Sequence, residues 1–514
     1  MRYCLRQVRM GTQRLMGREP RPSEPEHAMP AQTEDVFKTI PLRLAGTTEE
    51  VVVGGRDKFP LLPVALAGVK TIGVIGWGSQ GPAQAQNLRD ALAGTGIVVK
   101  VGLRAGSSSF AKALACGFDQ KNGTAGEMYA VIGEADLVLL LTADAAQAED
   151  FRKIQAAMKP ASTLGLSHGF LVGHMKNERA EFRRDINVVG VCPKGMGPSV
   201  RRLFEQGKEV NGAGINSSYA IHQDCTGTAR NIALGWAVAI GSPYVFETTL
   251  EMEYRSDIFG ERGVLLGAVW GILEALFSNF MLDGNATRGD AFARSALSLT
   301  GPISKAISDG GLLGVVKSLA GDQDSAFYHN LNATYTAAKP ILIEIYNEVA
   351  SGREIGSVID ATNRIATYPM SKVDGAVMWR TGETARRGNV EVAVEPSTAG
   401  IYLGIMMAQI DVLKQNGHGW SEICNETIIE AVDSLNPYMA ARGVDYMIDN
   451  CSTTARLGAR KWGPRFAQMV SGDVVPRREK ELPGDFRAWF LSHPVHQALS
   501  ECMKLRPPVN ISVQ

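Results

Sequence analysis

The chain changes texture near Glu251, and that change limits its architecture more than any other feature. From Val69 to about Thr249, short β-branched runs alternate with helical stretches; beyond Glu251, long helical patterns follow with few strand signals. Alternation of this kind makes βαβ units, whose strands are buried on both faces and so read as continuous apolar runs. Six such runs stand out: TIGVIG (71–76), VVKVGL (98–103), LVLLLT (137–142), TLGLSH (163–168), INVVGVC (186–192) and YVFETT (244–249). They predict an α/β N-terminal Rossmann-like domain built on a parallel sheet, followed by an all-α C-terminal region.

Within the helical half a short pattern recurs. IDATNR (359–364) follows a stretch ending YNEVASG, and IDNCSTTAR (448–456) follows one ending PYMAARG. D-x-x-x-E at 257–261 and E-x-x-x-E at 426–430 precede them, so this half reads as two diverged helical repeats. The expected organisation is a leader over 1–49, a nucleotide-binding domain over 50–248, and helical modules over 249–390 and 391–514.

Composition narrows the function classes. A formal net charge of +0 gives no basic surface built for nucleic acid. The seven scattered cysteines contain no C-x-x-C, which argues against a disulfide framework or a zinc site. Gly263 to Leu282 is long and apolar enough to span a bilayer, but Glu274 interrupts it and no second segment pairs with it, so a buried core helix is expected rather than a membrane span. The opening MRYCLRQVRMGTQRLMGR carries Arg2, Arg6, Arg9, Arg14 and Arg18 with no acid before Glu19, a composition shared by organelle transit peptides and disordered basic tails.

The run GVIGWGSQGPAQAQNL places Gly76, Gly78 and Gly81 as G-x-G-x-x-G between a strand and a helix. Glycines there permit a tight turn and close approach of backbone to a pyrophosphate seated on the helix N-terminus. The next strand ends in GLRAGSSS, with Arg104, Ser107, Ser108 and Ser109 where an NAD site would carry an acid. A guanidinium with hydroxyl donors suits a 2′-phosphate, so NADPH is the expected cofactor.

Two carboxylate pairs, Asp257/Glu261 and Glu426/Glu430, stand four residues apart and border strongly apolar sequence. Like charges at that spacing destabilise a helix unless something neutralises them. Four oxygen donors without histidine or cysteine suit Mg²⁺ or Mn²⁺, and two converging pairs would make a two-metal site. Whether they converge is not decided by sequence.

Taken together, these motifs resemble ketol-acid reductoisomerase (acetohydroxy-acid isomeroreductase), in its long plant-type form. GWGSQGPAQAQNL, GLRAGSSSFA, LSHGFLVGH, CPKGMGPSVRRL, EYRSDIFGERGVLLG, NETIIEAVDSLNPYMAARG and DNCSTTARLGARKWGPRF occur in family order, with only residues 320–400 diverged. The resemblance implies Mg²⁺-dependent alkyl migration in 2-acetolactate or 2-aceto-2-hydroxybutyrate, then NADPH reduction to a 2,3-dihydroxy-3-methyl acid, in valine, leucine and isoleucine biosynthesis. It implies that Asp257 bridges two Mg²⁺ ions, with Glu261 on one and Glu426 and Glu430 on the other, and that Ser452 bonds the substrate near its carboxylate. His168 and Lys194 match the remaining polar catalytic positions, beside Glu261, and Glu253 an outer carboxylate. Gly76, Trp77, Gly78, Ser79, Gln80, Gly81, Arg104, Ser107, Ser109, Asp144, Gln147 and Gly197 match the cofactor site. A homodimer and a plastid location after removal of the leader, with mitochondrion as the alternative, are further expectations from the family. A metal-free NADPH-dependent hydroxyacid dehydrogenase is the competing enzyme reading; it leaves the four paired carboxylates without a task. An NADPH-binding sensor or scaffold is the non-enzymatic one.

Overall fold

The computed structural model describes residues 34–513, apart from 283–285, 320, 322, 388–391 and 478–484. The Arg-rich opening and the expected module boundary at 390/391 thus lie outside the described residues.

Ten strands form one sheet. They are β1 (Thr39–Leu44), β2 (Thr47–Val53), β3 (Thr71–Ile75), β4 (Val98–Leu103), β5 (Ala125–Glu127), β6 (Leu137–Leu140), β7 (Thr163–Leu166), β8 (Asn187–Pro193), β9 (Ser217–Gln223) and β10 (Tyr244–Glu247). Their order is β1-β2-β10-β9-β8-β7-β6-β3-β4-β5. All six apolar runs become strands, and β3 to β8 pair in parallel. The chain leaves β3 toward β4 and β5, then returns to place β6 on its other side. That reversal opens a crevice at the carboxyl ends of β3 and β6, where such sheets bind ligands.

The far side of the sheet corrects two expectations. It is not parallel throughout: β9 pairs antiparallel to β8, and β2 antiparallel to both β10 and β1. Nor does the leader reach residue 49, because the β1–β2 hairpin starts at Thr39 and buries Leu42, Leu44, Val51 and Val52. The polar stretch TTEE at the start of β2 hides this hairpin from a search for apolar runs, since only one end of the strand meets the core.

From Leu250 onward the described chain is helical. The long apolar run follows a first helix, Leu250–Arg262, and after a break at Gly263–Leu266 forms a second, Gly267–Leu282. The second is buried against the helix Thr453–Met469, and a Cβ on Gly271 would lie 2.1 Å from the Gly463 carbonyl oxygen. Small residues there let the two backbones touch, and the run is a core element as expected.

Candidate active site

The crevice at the switch point continues into a cavity of about 1530 Å³ between the sheet's carboxyl edge and the helical half. Its sheet-side wall is the glycine loop. Gly76 takes φ +106°, where a Cβ would meet the Leu141 carbonyl oxygen at 2.7 Å; over Gly78 only that oxygen, at 3.9 Å, comes near. The space above Gly78 is therefore open to a pyrophosphate, at the N-terminus of the helix Gln80–Ala91. Trp77, Gly78, Ser79, Gln80, Asp144, Gln147 and Gly197 all line the cavity. Gly81 has a packing role, since a Cβ would fall 2.4 Å from the Gly76 carbonyl oxygen. Arg104 is exposed beyond β4, and Ser107 and Ser109 beside it are half-buried; these three lie outside the cavity lining.

The opposite wall carries the carboxylates. Thr249 caps the helix Leu250–Arg262 by accepting from the Met252 N–H, and Glu251 and Glu253 in the first turn suit its positive end. One face of this helix presents Glu253, Asp257 and Glu261 to the cavity. Glu426 and Glu430 come from a π-helical stretch, Asn425–Ile429 and its continuation, a local widening that often marks a functional site. Asp257 converges with the second pair: ligand oxygens of Asp257, Glu426 and Glu430 lie within 4.8 Å of one another, as do ligand atoms of His168, Glu253 and Asp257.

Lys194, 2% exposed, donates from Nζ to both Glu253 (3.4 Å) and Glu426. His168 Nδ1 stands 3.2 Å from Glu253 and 3.2 Å from Asp257, and the Gly169 N–H donates to Glu253 at 2.6 Å. Burial pushes the Glu253 carboxyl up, but Lys194, His168 and the Gly169 N–H outweigh it and hold it down to about 2. Burial opposes charge on Lys194 and His168 too, yet the surrounding carboxylates win, and both cations are held well above their ordinary pKa values. The two cations do not balance the full set of acids. Burial followed by Asp257 pushes Glu261 up to about 8; burial and Asp257 push Glu426 up to about 8 against the pull of Lys194; Glu430 is driven upward by burial and Glu426.

These features fit divalent ions. Oε2 of Glu426 and Oε2 of Glu430 are buried without a hydrogen-bond donor, an arrangement that costs free energy unless a cation completes it. The oxygen-only set of Asp257, Glu261, Glu426 and Glu430 suits hard cations. Glu261 is held apart from the other three, by Arg262 Nη1 (2.8 Å) and Ser452 Oγ (3.3 Å). Ser452 itself caps the helix Thr453–Met469 and faces the cavity.

Two family models match this division of the chain. One, described as "Acetohydroxy acid isomeroreductase, NADPH-binding domain", covers residues 66–244, and the other, "Ketol-acid reductoisomerase, C-terminal domain", covers 250–389 and 397–477. The chain belongs to the ketol-acid reductoisomerase family. It is 52% identical to "Ketol-acid reductoisomerase, chloroplastic" of Spinacia oleracea, over 93% of this chain and 82% of that one. The chloroplastic enzyme of Pisum sativum is also 52% identical, over 93% and 84%. The fold is shared with a solved NADH-preferring ketol-acid reductoisomerase from an uncultured archaeon (TM-score 0.54, 23% identity, 63% of this chain and 95% of that one). Membership brings a nicotinamide cofactor to the N-terminal domain, and the plastid expectation agrees with the two plant relatives.

Several residues around the cavity, Ser434, Thr454, Ile359, Thr362 and Asn363 among them, escape sequence reading. Ser434 receives the Met196 N–H (3.1 Å) and fixes the turn before Gly197, where a Cβ would fall 1.8 Å from the Ser79 carbonyl oxygen. Gln80 donates to the Gly195 carbonyl (2.9 Å), and Thr454 donates to Asp144, joining the two halves across the cavity. Ile359, Thr362 and Asn363 line the cavity from within the stretch read as diverged. The IDATNR echo is their one local signal, and it does not say what they face, because that follows from which helices meet.

Proposed function

We propose that the chain is a Mg²⁺- and NADPH-dependent ketol-acid reductoisomerase acting on 2-acetolactate and 2-aceto-2-hydroxybutyrate in a plastid. The observation that carries this reading is convergence: carboxylates 173 positions apart in sequence, Asp257 and Glu430, line the same cavity as the glycine loop and His168, and Glu426 stands within ligand distance of both. Two Mg²⁺ ions, held by Asp257 with Glu426 and Glu430 on one side and Glu261 on the other, would supply Lewis-acid stabilisation as charge moves between adjacent substrate oxygens. NADPH, seated on residues 76–81 with Arg104, Ser107 and Ser109 at its 2′-phosphate, would supply the hydride.

The chain's own groups do the rest. Lys194 and His168 hold Glu253 ionised, and Glu253 in turn keeps His168 facing Asp257. The reduction consumes one proton, and His168, protonated and lining the cavity, is the donor at hand. Ser452, pinned by its capping bond to the Ala455 N–H, offers its hydroxyl to the substrate carboxylate. The helical wall and sheet edge between them set the substrate against the nicotinamide. A homodimer belongs to the same reading and is checked by sedimentation.

NADPH oxidation with 2-acetolactate is the test. Activity is expected to vanish on chelation, to return with Mg²⁺, and to be lost in Asp257→Ala. Oxidation that survives complete chelation would favour the metal-free dehydrogenase reading instead.

A further inference from the structure

We infer that Glu354 is a positioning residue of this site, acting on Glu261 through the buried guanidinium of Arg262; the inference rests on the metal-dependent reading above. Arg262 is 0% exposed, and a guanidinium so placed must be neutralised and hydrogen-bonded. Two carboxylates approach it. Nη1 donates to Glu261 at 2.8 Å, and Nε donates to Glu354 at 3.0 Å. Only Glu261 of these two lines the cavity.

That asymmetry decides what each carboxylate does. If Glu261 were the sole anion beside Arg262, the buried cation would claim its charge as a closed pair and compete with any ion in the cavity. Glu354, itself 1% exposed, takes up that demand from the far side. It is fixed in turn by Trp462 Nε1 (3.3 Å) and by Lys461. Arg262 packs directly over Gly458, where a Cβ would fall 2.4 Å from its Cζ, so it cannot shift further toward that helix. Glu261 therefore hangs between a fixed guanidinium and the Ser452 hydroxyl, with charge left for a ligand. Glu354 stands at the first turn of the helix Arg353–Thr367, which also sends Ile359, Thr362 and Asn363 to the cavity.

The test is Mn²⁺ binding followed by electron paramagnetic resonance on the full chain with NADPH bound. Native protein is expected to hold two Mn²⁺. In Glu354→Gln one of them should weaken by about 10–100-fold, the usual effect of removing an outer partner of a ligand, while the other and the NADPH affinity stay unchanged. Lys461→Gln removes a different contact of Glu354, leaves Arg262 balanced, and should bind both ions as the native protein does. Two native-affinity ions in Glu354→Gln, or equal loss in Lys461→Gln, would overturn the inference. If Glu354→Gln does not fold, Arg262→Lys must weaken the same single ion, and native affinity there is equally fatal. Native protein that binds no Mn²⁺ would instead refute the metal-dependent reading itself.

Discussion

Binding of Mg²⁺ to the metal-free protein should release protons, and the number should fall as pH rises. Glu261 and Glu426 each sit at about 8 when no ion is present, so each is about nine-tenths protonated at pH 7 and about one-tenth at pH 9. An ion requires both as carboxylates, so these two alone give about two protons at pH 7 and well under one at pH 9. Calorimetric titration in buffers of different ionisation enthalpy counts them directly. The same shifts fix the sign for stability. A folded-state pKa above the unfolded value means the native state holds protons that the unfolded chain has lost, so the contribution is full below about 4.5 and disappears as pH passes about 8. For Glu426, moved from 4.5 to about 8, at about 1.4 kcal/mol per unit, the loss reaches up to about 5 kcal/mol. Melting in chelator should fall across this window, and the gap between chelator and Mg²⁺ should widen with it. Glu426→Gln should lower the proton count by about one. Release below about half a proton at pH 7, or release that grows with pH, would refute the assignment of these carboxylates to a shared ion site.

Three further outcomes follow from the same geometry. Lys194→Met leaves Glu253 and Glu426 buried without their shared cation; it should cost about 3–5 kcal/mol of stability in thermal or denaturant unfolding and remove activity, and unchanged melting would contradict the pairing. Gly197→Ala forces a Cβ against the Ser79 carbonyl oxygen. At about 1–3 kcal/mol for an overpacked contact, NADPH affinity measured by fluorescence should drop by about tenfold or more with little change in far-ultraviolet circular dichroism. Arg104→Gln should weaken NADPH by about 10–100-fold, the worth of a charge-assisted hydrogen bond, and leave NADH binding where it was; parallel losses for both cofactors would remove Arg104 from the 2′-phosphate site.

What sequence made legible is what local physics determines. The six strands with apolar runs announce themselves because burial on both faces demands apolar residues, and VVKVGL becomes β4 without a shift at either end. The glycine loop is legible for a similar reason, since tight backbone approach tolerates few residues. The β1–β2 hairpin is not, because its pairing partner β10 lies nearly two hundred residues downstream and the outward positions of β2 are polar. The repeat signal is instructive in both directions. IDATNR lies wholly inside the helix Arg353–Thr367, whereas IDNCS ends one helix and caps the next; yet Asn363 from one and Ser452 from the other face the same cavity.

The carboxylates expose the limit most clearly. Spacing alone places Asp257 and Glu261 on one helix face and does not tell their surroundings apart. In the fold they are not equivalent: Asp257 shares a cluster with Glu426 and Glu430, while Glu261 leans on Arg262 and Ser452. The difference comes from Glu354, more than ninety residues away in the stretch that looked least informative, and from Gly458, whose missing side chain makes room for the guanidinium. A ligand's identity is therefore written in its own motif, but its freedom to bind is set by charge balance among residues that motif does not contain. Whether Glu261 can serve an ion depends on how completely Arg262 is satisfied from behind.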